Sequence, residues 1–251
     1  MFRIIARLDV KSEHLIKGIR FEGLRKLGNP ADFAERYYLQ GIDEIFLVDN
    51  VASLYGRNHL GTLLEEVAAK TFVPLAASGG IRTLADAEEL FSKGADKVGI
   101  NSSTFADENL IQAVADRFGS QAVIGSIHAK RIGDSWECLI EQGREKTGVS
   151  VVDRISQLIN QGAGELLVTS VDQDGVESGF DEDLAHACAA VTTVPLVIGG
   201  GCGHADDVVR LSKMPGISGA SIGSALHYNR VMIADLKAGI GSISESEVDR
   251  G

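Results

Sequence analysis

Apolar residues along the chain fall into short runs that stop abruptly at polar or glycine-rich residues, with amphipathic segments between them. A strand buried on both faces presents itself this way, as an unbroken apolar run whose polar stop marks its C-terminal end. The runs at 4–11, 44–48, 73–77, 97–100, 123–127, 165–169, 195–198 and 219–222 predict eight strands. Helical patterns are expected between them at 31–40, 60–70, 83–93, 149–160, 182–190, 205–212 and 230–238. Asn29 followed by Pro30 reads as an N-cap and first-turn proline, and Thr83 reads as a second N-cap. The charged stretch 11–27 and the stretch VASLYGRN at 51–58 read as long loops over strand ends. The polar tail 241–251 is expected to be disordered.

The pattern repeats within the chain. Asp9 and His128 end matching runs, IIARLDVK and AVIGSIHAKR, 119 positions apart. Gly41 and Gly162, Pro74 and Pro195, and Gly80 and Gly201 each stand 121 apart in similar surroundings. Strands alternating with helices in two matching sets of four predict one α/β domain over 1–240, a (β/α)8 TIM barrel of two half-barrels at about 1–120 and 121–240. A doubly wound open sheet would not require two matching halves.

Residues just after each barrel strand face one mouth and carry function in this architecture. Those positions hold Asp9, Asp49, Gly79 and Gly80, Asn101 and Ser102, His128, Thr169 with Asp174 and Gly175, Gly200 and Gly201, and Gly223 and Ser224. A single glycine pair can serve only a tight turn. Two such pairs in matching places, each with small polar residues nearby, point to two phosphate sites, because glycine lets backbone N–H groups approach an anion. Asp9 and His128 then oppose each other across the mouth as a candidate acid and base pair.

Net charge is −11, which argues against a nucleic-acid partner but not against small anions held by backbone amides. The three cysteines, Cys138, Cys188 and Cys202, are odd in number and widely spaced, so neither a disulfide framework nor a metal site is expected. No cofactor is implied. The N-terminus MFRIIARLDV lacks a signal-peptide core and no apolar run is long enough to span a membrane, so a soluble cytoplasmic protein with no membrane contact is expected.

The segments RLDVK at 7–11, DKVGIN at 96–101, RFGSQ at 117–121, AKR at 129–131 and GAGELLVTSVDQDG at 162–175 resemble the cyclase subunit of imidazole glycerol phosphate synthase, the HisF family. The likeness spans residues 1 to about 240 and separates the chain from the sister isomerase HisA. The resemblance implies a lyase subunit of a glutamine amidotransferase in histidine biosynthesis. Ammonia from a HisH-like glutaminase, docked at the N-terminal barrel face, would cleave and cyclise a bis-phosphorylated ribulosyl aminoimidazole carboxamide nucleotide. It further implies phosphate binding at Gly80, Asn101 and Ser102 on one side and at Asp174, Gly175, Gly201, Gly223 and Ser224 on the other. An ammonia gate would form from Arg3, Glu44, Lys97 and Glu165, and Lys17 would help a mobile loop close. Asp9 matches the family's first catalytic aspartate, whereas His128 stands at the second. Arg7 replaces a small residue, and Ser78 and Gly199 also depart from the family pattern. Two further readings stay open: a HisF-like paralogue delivering ammonia to another substrate, such as a sugar nucleotide in surface-polysaccharide amidination, or a silent barrel that activates a glutaminase.

Overall fold

Alternation along β1 (Arg3–Lys11) shows why the strand runs look uniformly apolar. Ile4, Ala6, Leu8 and Val10 turn outward into a core shared with the helices, while Ile5 joins a separate inner cluster. Successive side chains of a strand point to opposite faces, so Arg3, Arg7 and Asp9 share the inner face with Ile5. The computed structural model describes residues 2–50 and 60–248.

The remaining strands are β2 (His14–Ile19), β3 (Glu22–Gly28), β4 (Glu44–Asp49), β5 (Leu75–Ser78), β6 (Lys97–Ile100), β7 (Val123–Ile132), β8 (Ser135–Ile140), β9 (Glu145–Ser150), β10 (Glu165–Ser170), β11 (Leu196–Gly199) and β12 (Ile217–Ile222). Eight of them pair in parallel in the order β1-β4-β5-β6-β7-β10-β11-β12, and β12 pairs back onto β1 to close the barrel. The helices are α1 (Pro30–Leu39), α2 (Leu60–Lys70), α3 (Leu84–Ser92), α4 (Ser103–Ala106), α5 (Leu110–Phe118), α6 (Val151–Asn160), α7 (Glu182–Ala189), α8 (Ala205–Ser212), α9 (Ser224–His227) and α10 (Ile233–Val248). The helices cover the barrel from outside, and each fully buried Leu or Ile between the layers contributes about 1.5–3 kcal/mol. The lumen holds a smaller cluster of Ile5, Phe46, Val48, Ala76, Ile124, Leu167 and Val197.

Local signals act as expected where they are strongest. The Asn29 side chain accepts from the Ala31 N–H and Pro30 opens α1, while Thr83 and Asp86 form a reciprocal capping box at α3.

Three expectations are corrected. The stretch 11–27 is not an irregular loop: β2 and β3 form an antiparallel hairpin that extends from β1. At the matching place in the second half, β7 runs past Ile127 to Ile132 and pairs with β8 and β9 in another hairpin. Finally, α10 continues to Val248 instead of ending near 238. Gly239 lies within it because α10 packs closely on α8, where a Cβ on Gly239 would stand 2.6 Å from Val209 Cγ2. The loop at 51–58 and residues 249–251 lie outside the described residues. Among the described residues, no helix is long and apolar enough to cross a membrane.

Candidate active site

The inner face of β1 delivers Arg7 and Asp9 to the C-terminal mouth of the barrel, two residues apart and therefore on one side of the strand. Arg7 Nε donates to Asp9 Oδ1 at 2.8 Å, and its Nη1 donates to Thr169 Oγ1 at 3.2 Å. Nη2 of Arg7 is buried without a hydrogen-bond partner. The β2–β3 hairpin folds back over the mouth and inserts Lys17, whose ammonium lies 3.3 Å from Asp9 Oδ2 and 2.9 Å from both Asp174 oxygens. Burial alone would push the Asp9 carboxyl upward, but Arg7 and Lys17 outweigh it and hold the group well below its ordinary range. Lys17 is raised despite its own burial, because Asp174 and Asp9 flank it.

His128 enters the mouth from β7, in register with Thr169 of the neighbouring β10. It makes no ion pair with Asp9. Phe21, at the tip of the hairpin, lies against it with ring centroids 4.7 Å apart. The tip adopts the left-handed region at Arg20 (φ 53°) and Phe21 (φ 63°), and the Arg20 N–H donates to the Asp174 carbonyl at 2.7 Å. Burial, reinforced by the Arg7 guanidinium, lowers the His128 imidazole to about 3, so it is neutral. Its Nδ1 has no partner.

Gly80, Asn101 and Ser102 come together around one open cavity of about 290 Å³, which also reaches Ser78, Ser126, His128, Glu141 and Gln142. The Ser102 hydroxyl accepts from the Glu141 N–H at 3.1 Å, fixing the β8–β9 tip onto this side. Glu141 and Gln142 are non-glycine residues with φ of 48° and 59°, conformations that persist only where surrounding contacts enforce them.

On the opposite side Lys17 lies against Asp174 and beside Gly223, with Gly175 packed under the neighbouring Gly18. Gly175, with φ +72°, sits under the hairpin, where a Cβ would be 2.4 Å from the Gly18 carbonyl. Gly201, with φ +112°, abuts the Gly179 carbonyl at 2.0 Å from a built Cβ, so no side chain fits there. Lys17 Cε lies 3.6 Å from the Cβ position of Gly223. The two glycine-rich sides therefore differ: the first borders an open cavity, and the hairpin lysine reaches Asp174 and the Gly223 position on the second.

Arg3, Glu44, Lys97 and Glu165 are each the first residue of their strand and form a closed ring at the other barrel end. Arg3 reaches Glu44 at 2.6 Å and Glu165 at 2.7 Å, and Lys97 reaches Glu44 at 3.0 Å and Glu165 at 2.7 Å. The carboxylates are buried and the cations lie toward solvent. Burial raises Glu44, with Glu165 nearby adding to the effect and Lys97 and Arg3 opposing it. Directly above the ring is a cavity of about 10 Å³ lined by Ile5, Phe46, Ile124, Leu167, Val197 and Ser221 together with the two glutamates.

Sequence reading identified Arg7 only as a departure and did not reveal its bond to Asp9. It missed Phe21 over His128 and also a buried pair, Tyr37 and His227, near Gly223. The even spacing of Arg7 and Asp9 was the one available signal for their contact.

Comparison with known proteins places the chain in a family. The histidine biosynthesis protein family matches residues 3–232. The HisF subunit of imidazole glycerol phosphate synthase from Legionella pneumophila is 46% identical over 206 residues, 82% of this chain and 97% of that protein. The HisF subunits of Streptococcus mutans and Myxococcus xanthus are each 39% identical over 236 residues, 94% of this chain and 94% and 93% of theirs. The chain thus belongs to the histidine biosynthesis protein family and, within it, to the HisF subunits of imidazole glycerol phosphate synthase.

Proposed function

We propose that this chain is the cyclase/lyase subunit of a glutamine amidotransferase of histidine biosynthesis, working in the cytoplasm on a bis-phosphorylated ribulosyl aminoimidazole carboxamide nucleotide. The observation that carries the reading is the single lumen, with a sealed ionic ring at one end and Asp9 and His128 at the other. The cavity above the ring is the size of one water molecule and hence of ammonia. Ser221, whose buried hydroxyl lacks a partner, gives it one polar wall. Ammonia made by a glutaminase would pass Arg3, Glu44, Lys97 and Glu165, cross the apolar lining and meet the substrate at the mouth.

Each half-barrel supplies one phosphate site in this reading. Gly80, Asn101 and Ser102 hold one phosphate in the open cavity. Asp174, Gly175, Gly201, Gly223 and Ser224 hold the other once the hairpin lysine shifts to pair with it. Asp9, fixed as a carboxylate, accepts a proton from the attacking nitrogen. Neutral His128 relays a proton at the opposite face of the substrate, and its basicity rises when Phe21 lifts and water reaches the ring. The exposed Leu39 and Phe72 lie at the same barrel end as the ring and offer the glutaminase an apolar footing. The test is conversion of the nucleotide, with ammonium salt as nitrogen source, to imidazole glycerol phosphate and aminoimidazole carboxamide ribotide. Growth of an auxotroph lacking the cyclase gives a second readout. No product and no growth from soluble protein would overturn the reading.

One observation favours a second reading. Arg7 neutralises Asp9, and an uncharged imidazole replaces the second carboxylate, so the mouth carries two fewer negative charges than the family pattern would give it. A paralogue passing ammonia to a different acceptor, such as a sugar nucleotide, fits that change. Activity on the histidine-pathway nucleotide appearing only in His128→Asp would select this reading. Glutaminase stimulation that survives Asp9→Asn, with no ammonia-addition product, would select a silent activator.

A further inference from the structure

A buried relay behind the Gly223 side of the mouth ends in a polar atom with no partner. Arg36 Nη2 donates to the Tyr37 hydroxyl at 3.0 Å, and that hydroxyl lies 2.7 Å from Nδ1 of His227. A guanidinium can only donate, so the Tyr37 oxygen accepts from Arg36 and its single proton is left to point at Nδ1. In that arrangement Nδ1 is the acceptor and the neutral imidazole carries its proton on Nε2. Burial pushes Tyr37 up to about 12 and His227 down to about 3, which keeps the phenol protonated and the imidazole uncharged. Phe33 meets the His227 ring edge-on at 5.8 Å, and Tyr37 stacks on it at 5.9 Å, so the ring cannot readily turn over.

The Nε2–H produced in this way is 5% exposed as a residue and has no hydrogen-bond partner. The Arg7 carbonyl acts on the ring as a nearby acceptor but does not meet full hydrogen-bond geometry with Nε2. Nε2 is 3.8 Å from the place a Cβ would take on Gly223, and Lys17 Cε is 3.6 Å from the same point. An unsatisfied buried donor costs about 1–3 kcal/mol, so its retention calls for an acceptor that arrives during function.

We propose that His227 is a positioning residue whose Nε2–H donates to an oxyanion seated beside Gly223, with Arg36 and Tyr37 fixing the tautomer that makes it a donor. The stem of Lys17 lies beside the same Gly223 position while its ammonium is held by Asp9 and Asp174. An anion entering the cradle gains the Lys17 ammonium and the His227 N–H together. A neutral donor suits this place: an imidazolium would add a further positive charge beside Lys17 and would need a buried counterion.

The inference rests on the reading of Asp174, Gly175, Gly201, Gly223 and Ser224 as a phosphate cradle, and the experiment separates the two. Full-length protein with 15N-labelled histidine and backbone is titrated with inorganic phosphate and followed by NMR, the His227 resonances being assigned from their loss in His227→Gln. The expected result is a neutral Nε2–H tautomer whose proton shifts on phosphate addition together with the amides of Gly175, Gly201 and Gly223. Gln, which can place an N–H near the Nε2 position, should hold phosphate affinity within about threefold, while His227→Phe should weaken it about tenfold or more. Tyr37→Phe should mix the tautomers and weaken phosphate binding in proportion. If the glycine amides move while the Nε2 proton does not, or if the tautomer is Nδ1–H, the proposal is overturned and the cradle stands. If phosphate moves none of these amides, the cradle reading itself fails.

Discussion

Two buried neutral histidines set how the protein responds to acid. His128 and His227 have ordinary values of 6.5 when unfolded and about 3 in the folded chain. Between those values the unfolded state binds more protons, so their contribution to stability is complete above pH 6.5 and is lost as pH falls toward 3. Each group contributes a slope of about 1.4 kcal/mol per pH unit across the window. Asp9, held low, adds its own loss only below the ordinary carboxylate range near about 4. Chemical denaturation between pH 6.5 and 4.5 should therefore show a slope that drops by one proton in His128→Gln. An unchanged slope would mean that His128 is charged or solvated in the folded state. Asp9→Asn should lower turnover by about 10²–10⁴-fold, the range of a lost general base, with the far-UV spectrum unchanged. Sequence alone made Asp9 and His128 visible, because a nearly constant repeat offset pairs them and each follows an apolar run. It could not give their charge states, which depend on Arg7 choosing Asp9 as partner and on Phe21 covering His128.

The element that decides access to the site is the β2–β3 hairpin. Its charges and glycines concealed it in the sequence, since its buried apolar residues are only the adjacent Leu15 and Ile16, which show no alternation. The second hairpin, β8–β9, stayed hidden for a related reason: the barrel strand continues into it without a break, so the polar stop at His128 looked like the strand end. Strand and helix positions elsewhere were legible because burial on both faces leaves no room for polar residues and because caps such as Asn29 and Thr83 satisfy helix amides locally. Closure of the first hairpin depends on Lys17 being shared between Asp9 and Asp174, all three of them buried. Lys17→Met would leave two carboxylates facing an apolar stem, and breaking such a buried pair costs about 3–5 kcal/mol. The expected outcome is an undocked hairpin at neutral pH, seen as faster hydrogen exchange over residues 14–28 while the β1 and β4 amides stay protected. Equal protection of the hairpin in the variant and the parent would show that Phe21 and the Arg20 to Asp174 backbone bond suffice to hold it.

At the scale of the whole molecule, the barrel has two chemically different ends separated by an apolar interior cluster, with a water-sized cavity above the ring. The ring end was legible through the family resemblance, which marked these four positions, and the cost of unpaired charge in a barrel floor supported it. The apolar surface around it was not, because Leu39 and Phe72 continue the helix and loop patterns of their neighbours and only the fold shows them to be 75% and 81% exposed. Tyr38 braces Phe72 from the side, with ring centroids 5.9 Å apart, so this aromatic is held in place without being buried. An exposed, preorganised aromatic has little role in stability, since removing it opens no cavity, yet it supplies the kind of anchor that dominates protein interfaces. Phe72→Glu should consequently leave the thermal midpoint unchanged and raise the dissociation constant for the glutaminase about tenfold or more, measured by calorimetry with the purified partner. Unchanged affinity would place the partner elsewhere. Ammonia would then have to enter by some route other than the ring, and the pairing of Arg3 and Lys97 with Glu44 and Glu165 would be a closure of the barrel floor instead of a gate.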